Sequence, residues 1–373
     1  MRNQKYLVWA ASFVPTLALA GAVGSYLPSH SGRNGIFKWF NVDGAEHTIA
    51  YGAGEEAIVG VYETEASSGV CNQQVEHGFI TLDAGKHIRA LDFPGATSTE
   101  ATAINEDGII AGIYSSDCDT TDQGFLYRKG KFSTLALPAT APFHAMTLTV
   151  TYPDIRAISE EKDIAGGFTA AAGGDYGFLL TEEKKFVVLD VCDEASIASS
   201  AEGCLPASTD GWGLNSARTV VGHYEDNVFN VCVIDDGILE CSNHHHGFIW
   251  KKSSGFTSLS CDGDTTSDTD ANAISDKGVI VGRCDSKAFV LVPPYRNSDW
   301  TTFSISDPVM NEFRCPEGLE LNKTIAYGIS DEGKIVGNYT CENPNPTITS
   351  LTHPDQSFAF AVNLGNLIHR EHD

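Results

Sequence analysis

Ala273-Ile274-Ser275-Asp276-Lys277-Gly278-Val279-Ile280-Val281-Gly282 is the clearest of six copies of one short stretch. Ala103 to Gly112 and Gly328 to Gly337 repeat it closely. Ala157 to Gly166, Gly213 to Gly222 and Tyr51 to Gly60 repeat it more loosely. The final glycines fall at 60, 112, 166, 222, 282 and 337. A period of about 55 residues marks a repeat architecture. The stretch reads as a β-hairpin. Asn or Ser opens the turn, because a short polar side chain can bond the backbone ahead of it, and Gly three residues later accepts a positive φ. β-branched residues follow, as a strand prefers. Glu56, Lys162 and Arg218 stand where the other copies have the turn glycine, so those three turns are expected to be looser or of another type.

Two further elements recur between the hairpins. One is an apolar strand centred on Gly78-Phe79, Gly124-Phe125, Gly177-Phe178 and Gly247-Phe248, with Ala288-Phe289 and Ala359-Phe360 as variants. The other starts at Phe37, Ile88, Phe132, Phe186, Phe256 and Trp300. A tight turn joins the two, as in Leu126 to Phe132. Each unit therefore has four short strands, and six units make 24. Alternate connections of an antiparallel meander emerge on opposite edges. Both tight hairpins then share one face of the molecule, and both long loops share the other.

The chain ends decide how the units close. The first complete element, Phe37 to Val42, has no partner before it, and the last, Ser357 to Val362, has none after it. Pairing them closes a ring and leaves no long open edge. The expectation is an all-β, six-bladed β-propeller with four antiparallel strands per blade over residues 35–364. A solenoid would want capping units; a β-sandwich is the remaining alternative.

The flanks read differently. Residues 1–20 resemble a secretion signal: Arg2 and Lys5, an apolar run from Tyr6 to Ala20, and the small residues Ala18-Leu19-Ala20. Residues 21–34 are expected as a linker and 365–373 as a tail. Cleavage removes two cations, taking the formal charge from −25 to −27. So acidic a surface repels nucleic acid and anionic membranes. No second apolar span exists, so the expected location is extracellular or periplasmic. All ten cysteines follow the signal, as a disulfide framework requires. Local pairing suggests Cys192 with Cys204 and Cys232 with Cys241; more distant pairs would be Cys261 with Cys284, Cys315 with Cys341, and Cys71 with Cys118. Every one falls in a long loop.

The order Gly-Phe, Phe-x-x-Leu, Ala-Ile-Asn-x-x-Gly-x-Ile-Val-Gly resembles the HAF family of bacterial extracellular repeats. The segment that names that family appears here as His77-Gly78-Phe79 and His246-Gly247-Phe248, and diverged at Lys287-Ala288-Phe289 and Phe358-Ala359-Phe360. The resemblance covers nearly all of the chain after the signal. It implies secretion and a propeller-like fold, and carries over no catalytic residue.

Candidate sites are few. Gly52 to Ala57 mimics a dinucleotide fingerprint, but strand residues follow it where a helix is needed. Asp262, Asp264, Asp268 and Asp270 place oxygen ligands at alternating positions in one loop and could wrap a calcium ion. His244 and His246 would point the same way on a strand and could share a metal; the recurrence of His246 at the position of His77 suggests a structural hydrogen bond instead. Asn322-Lys323-Thr324 and Asn338-Tyr339-Thr340 are glycosylation sequons. No nucleophile elbow, zincin helix or P-loop is present. The sequence therefore favours a non-catalytic module binding an extracellular protein or glycan through its loop face. The alternatives are a hydrolase of carbohydrate or phosphate with carboxylates at the channel, and a structural subunit of an extracellular assembly. Convergent carboxylates with shifted pKa at the channel mouth would favour the enzyme; a flat face with exposed aromatics would favour binding.

Overall fold

In a computed structural model, residues 26–27, 29–34, 36–64, 75–116, 122–144, 146–191, 208–235, 238–261, 267–295, 300–303, 315–343 and 356–368 are described. The signal segment, Cys71, Cys118, Cys192, Cys204, Asp262 and Asp264 lie outside them.

The strands run in chain order as β1 (Tyr26–Leu27), β2 (Ser29–Asn34) and β3 (Phe37–Val42), then six repeating sets. The first set is β4 (Thr48–Ala53), β5 (Ile58–Thr64), β6 (Val75–Thr81) and β7 (Ile88–Ala90). The second is β8 (Ser98–Ile104), β9 (Ile110–Ser115), β10 (Asp122–Arg128) and β11 (Lys131–Leu135). An extra strand β12 (Thr140–Phe143) precedes the third: β13 (Met146–Ile158), β14 (Ile164–Ala170), β15 (Asp175–Leu180) and β16 (Phe186–Leu189). The fourth is β17 (Thr209–Leu214), β18 (Val220–Asp235), β19 (Ile238–Lys251) and β20 (Gly255–Leu259). The fifth is β21 (Thr269–Ile274), β22 (Ile280–Cys284), β23 (Lys287–Leu291) and β24 (Trp300–Phe303). The last is β25 (Glu320–Ile329), β26 (Lys334–Glu342) and β27 (Gln356–Asn363), followed by the short helix α1 (Leu364–Ile368).

Six antiparallel sheets result, and the sixth is completed by the N-terminal strand. Ala359, Phe360 and Ala361 of β27 pair with Phe40, Trp39 and Lys38 of β3. The protein is thus an all-β six-bladed propeller closed by its two ends. Residues 29–34 are not linker: β2 forms a hairpin with β3 along its whole length, and β1 pairs with β7 at the outer edge of the first blade.

The core lies between blades. Six apolar clusters fill the six junctions between adjacent sheets, including the junction of the last blade with the first. The phenylalanine of each Gly-Phe strand (Phe79, Phe125, Phe178, Phe248, Phe289 and Phe360) is buried in one of them. The repeated final glycine is explained by the same packing. A β-carbon on Gly60, Gly112, Gly166, Gly222, Gly282 or Gly337 would collide with the carbonyl oxygen of Ile49, Glu100, Asp154, Asp210, Asp270 or Ile325 on the innermost strand.

The hairpin turns follow the sequence chemistry. Asn105, Ser159, Asn215, Ser275 and Ser330 each accept, through the side chain, the amide four residues on. Asn105 and Asn215 also donate to the carbonyls of Ser159 and Ser275 in the next blade. Two of the three glycine-less turns are not looser. Lys162 (φ 66°) and Arg218 (φ 58°) adopt the left-handed conformation that Gly108, Gly278 and Gly333 adopt, with the same amide bond back to Ser159 or Asn215. The strain at Arg218 is offset by an ion pair across the blade junction: its Nε donates to the fully buried Asp163 at 2.5 Å. Only the first turn differs in type, being one residue shorter and closed by Gly54 N to Ala57 O.

Among the described residues, two disulfides lie toward the opposite face. Cys261 is bonded to Cys284, and Cys315 to Cys341. Cys232 and Cys241 face each other in register on the long β18–β19 hairpin. No helix among the described residues is long and apolar enough to cross a membrane. The disulfides point to an oxidising compartment.

The glycine ring gives a direct test. Gly112→Ala drives a β-carbon into the Glu100 carbonyl and the Phe125 ring, so it should destabilise by about 3 kcal/mol or more. Gly95→Ala meets no atom within 4 Å and should lose only about 1–2 kcal/mol, for its positive φ. Urea unfolding of the two variants side by side measures the difference.

Candidate functional site

The six innermost strands β4, β8, β13, β17, β21 and β25 stand in cyclic contact around the central channel. Each carries a one-residue irregularity at the same place. The residues left out of register are Tyr51, Thr102, Arg156, Trp212, Asn272 and Tyr327. A bulge re-aims the side chain of its extra residue, and these six residues line the middle of the channel. The cavity left there is about 70 Å³, room for water but not for an organic ligand. Tyr51 and Tyr327 meet edge to face at 5.0 Å, and Trp212 lies over Tyr327 at 6.3 Å. The Arg156 guanidinium sits 4.7 Å from the Trp212 ring centre and 5.9 Å from that of Tyr51. The channel is therefore a cup, floored by aromatic rings and one arginine.

Two residues before each bulge, toward the long-loop face, stand Ile49, Glu100, Asp154, Asp210, Asp270 and Ile325. Four consecutive blades thus contribute a carboxylate to the mouth. Their neighbours on the second strand, by register, include Gly167, His223 and Arg283. A β-carbon on Gly167 would clash with Asp210 Oδ1, so this glycine makes the room the carboxylate occupies.

Each carboxylate has a different environment. Arg156 Nε donates to Asp154 Oδ2 at 2.7 Å, and its Nη1 lies 3.9 Å from Glu100 Oε2. Burial pushes Glu100 well above the usual carboxylate range, and Glu76 and Asp154 raise it further against the pull of Arg156. The neutral form of Glu100 is favoured accordingly. Asp154 Oδ1 is buried without a hydrogen-bond partner. Asp210, which accepts Ser208 Oγ at 3.1 Å, is raised to about 6 by burial and by Asp154. Asp270 goes the other way. Burial would raise it, but His245 Nδ1 at 2.8 Å and Arg283 Nε at 2.6 Å hold it well below the usual range.

The histidines sort in a way the sequence did not foretell. His246 stacks on Tyr224 at 5.1 Å, as His77 stacks on Tyr62 at 5.1 Å. Ring stacking recurs across strands β18–β19 and β5–β6, and His77 also meets Asp92 Oδ1 at 3.3 Å, a hydrogen bond of the kind expected at this position. His244 approaches Asp268 at 3.3 Å. The histidine that enters the mouth is His245, stacked on His223 with ring centres 4.5 Å apart. Of the four aspartates considered for calcium, the two described ones pair with these groups: Asp268 accepts the His245 amide, and Asp270 binds His245 and Arg283. A six-copy alignment of the repeat holds the missed signal. Glu100, Asp154, Asp210 and Asp270 each stand twelve residues before the final glycine of their unit.

A larger cavity of about 330 Å³ opens on the turn face between the last and first blades, walled in part by Lys38, Glu56, Asp83 and Lys334. Lys334 is already committed there, donating to the carbonyls of Gly54 and Glu55. This contact helps to tie the ring shut.

The fold and its mouth define a disulfide-bonded six-bladed propeller with a partly buried arc of four carboxylates. No family model and no curated protein matches the chain. Among solved structures it is similar to a gluconolactonase from Xanthomonas campestris, with 8% identity, covering 91% of this chain and 98% of that one, at a TM-score of 0.42. It is also similar to the catalytic domain of an α-L-arabinofuranosidase from Coprinopsis cinerea (7% identity, 91% of each chain, TM-score 0.35). An α-L-arabinofuranosidase from Podospora anserina, solved with cellotriose, gives 10% identity over 93% of this chain and 99% of that one, at 0.35. Likenesses so distant carry no argument about the site.

The raised pKa of Asp210 has a sign that can be checked. Folded, it keeps its proton up to about pH 6; unfolded, it loses it near its ordinary value of about 3.9. Stability from this group is full below the lower value and falls as pH rises through the upper one, by up to about 3 kcal/mol. Asp210→Asn should therefore raise Tm at pH 8 and leave it unchanged at pH 4. Thermal melts at both pH values test this, and equal shifts at both would refute it.

Proposed function

We propose that the protein is a secreted hydrolase that cleaves a glycosidic bond of a neutral carbohydrate at the loop-face mouth of its channel. The observation that carries this reading is the trio Glu100, Arg156 and Asp154. Burial biases one carboxyl toward its protonated form, and the shared arginine grips the other while leaving its Oδ1 without a partner. Glycoside cleavage needs such a division between an acid and a base or nucleophile. Glu100 has the proton to give to the leaving oxygen. Asp154 Oδ1 has the free lone pair to take one from water or to attack. The aromatic floor of Tyr51, Trp212 and Tyr327 offers apolar faces below. Carboxylates outnumber cations among the described mouth residues, which disfavours an anionic substrate such as a phosphate ester. The HAF-repeat resemblance agrees with secretion and is neutral as to catalysis.

The experiment is a release assay on the purified protein against a panel of oligosaccharides and aryl glycosides. Activity should fall as pH rises through the raised pKa of Glu100, because the acid must be protonated to act. Glu100→Gln should lower kcat by about 10²–10⁴-fold and remove that alkaline limb. Asp154→Asn should be similarly impaired while keeping the fold. A protein that hydrolyses nothing in the panel, or variants that retain full activity, would overturn the reading.

A second reading has its own observation. Met146 and Tyr152 of β13 are 58% and 54% exposed on the loop-face side of the third blade, and Tyr152 is held at a positive φ of 42°. Exposed large side chains of this kind suit a docking surface. Glycan or protein binding that is lost in Met146→Ser/Tyr152→Ser, without turnover of the ligand, would favour a binding module.

A further inference from the structure

His223 Nδ1 is buried and has no hydrogen-bond partner. Its side chain is only 9% exposed. A buried imidazole nitrogen left without a partner is uncommon and calls for an explanation. The atom faces Asp270 Oδ1 at 3.9 Å, too far for a hydrogen bond. On the other side of the same oxygen, His245 Nδ1 stands at 2.8 Å. One nitrogen from each histidine and one oxygen of Asp270 all lie within 4.8 Å of one another. Two ligands on a tetrahedral zinc stand about 3.4 Å apart for bonds of about 2.1 Å, so an ion would take the place of the His245–Asp270 hydrogen bond and turn one of the two stacked rings toward itself.

The groups behind these three side chains point the same way. A metal-bound histidine ordinarily presents its other ring nitrogen to a carboxylate or carbonyl. Here His245 Nε2 lies 3.3 Å from Glu225 Oε1, while Asp210 Oδ2 stands 3.8 Å from His223 Nε2, beyond hydrogen-bond reach. The second oxygen of Asp270 is held by Arg283 Nε at 2.6 Å, which leaves Oδ1 facing the two histidines. Two imidazoles and one carboxylate, with His245 and Asp270 each backed by a further group, form the donor set of a zinc-class ion with an open coordination position. Calcium prefers six to eight oxygens and fits this set poorly.

We propose that His223, His245 and Asp270 bind one divalent transition-metal ion of the zinc class at the channel mouth, with Glu225 orienting His245. The site does not depend on the hydrolase reading, because the carboxylates assigned to acid–base work, Glu100 and Asp154, belong to other blades. A bound ion would supply a Lewis acid or an activated water beside them.

The test uses untagged, chelator-treated full-length protein, because a purification tag would bind zinc itself. Titration with Zn²⁺ followed by calorimetry should give one site per chain. Co²⁺ should produce visible absorption bands of low coordination number that Zn²⁺ then removes. His223→Ala and His245→Ala should weaken binding by at least about 100-fold and Glu225→Gln by about 10–100-fold. His244→Ala, one residue away on the same strand, should leave binding within about 2-fold of wild type. Should His223→Ala fail to fold, Glu225→Gln and His245→Ala carry the test. No binding by the wild-type protein, or binding that these variants leave unchanged, overturns the assignment. Zinc binding without hydrolysis of any glycoside would leave this site standing and remove only the hydrolase reading.

Discussion

One close approach organises the molecule: the carbonyl oxygen of an innermost-strand residue rests on the α-carbon of a glycine in the second strand. It recurs in all six blades, at Gly60, Gly112, Gly166, Gly222, Gly282 and Gly337. The contact lies beside the bulge that interrupts each inner strand, and the two features belong together. A bulge increases local twist and brings backbones closer than regular pleating allows. Only a residue without a β-carbon tolerates that approach. The repeat is therefore kept by a steric need of the backbone, and it says nothing by itself about chemistry.

The same device creates the site. Its carbonyl donors are Ile49, Glu100, Asp154, Asp210, Asp270 and Ile325, and four of their side chains are the carboxylates of the mouth. The bulged residues two places on, from Tyr51 to Tyr327, form the floor. Backbone sameness and side-chain difference thus coexist at one position. The fold was legible because sameness is what a repeat displays. Ring closure could be inferred from strands at 37–42 and 357–362 that lacked partners in sequence, and they pair as expected. The site was hidden because its residues are those in which the copies differ. Tyr51 and Tyr327 meet only once the ring is shut.

Other misjudgements have local causes. Positive φ was assigned to glycine alone, yet Lys162 and Arg218 adopt it. For Arg218, a buried partner in the neighbouring blade makes the difference; no periodicity in a single copy reveals such a contact. The histidine run was read by alternation along one strand, which selected His244 and His246. The deciding contact is instead cross-strand stacking. Tyr224 takes His246, and His223 takes His245. Register with β18, rather than position in β19, determines which ring enters the mouth.

Bringing buried carboxylates together opposes folding, since desolvation favours their neutral forms and like charges repel. The molecule meets this in two ways. Arg156 and Arg283 each grip one member of the ring, so Asp154 and Asp270 are paired while Glu100 and Asp210 are driven toward the protonated state. Crosslinks also brace part of the rim. The bond between Cys261 and Cys284 encloses the segment that carries Asp268, Asp270 and Arg283. The bond between Cys315 and Cys341 anchors the approach to β25, whose bulge supplies Tyr327. A crosslink restricts the unfolded ensemble more than it perturbs the native one. The disulfides themselves point to an oxidising compartment.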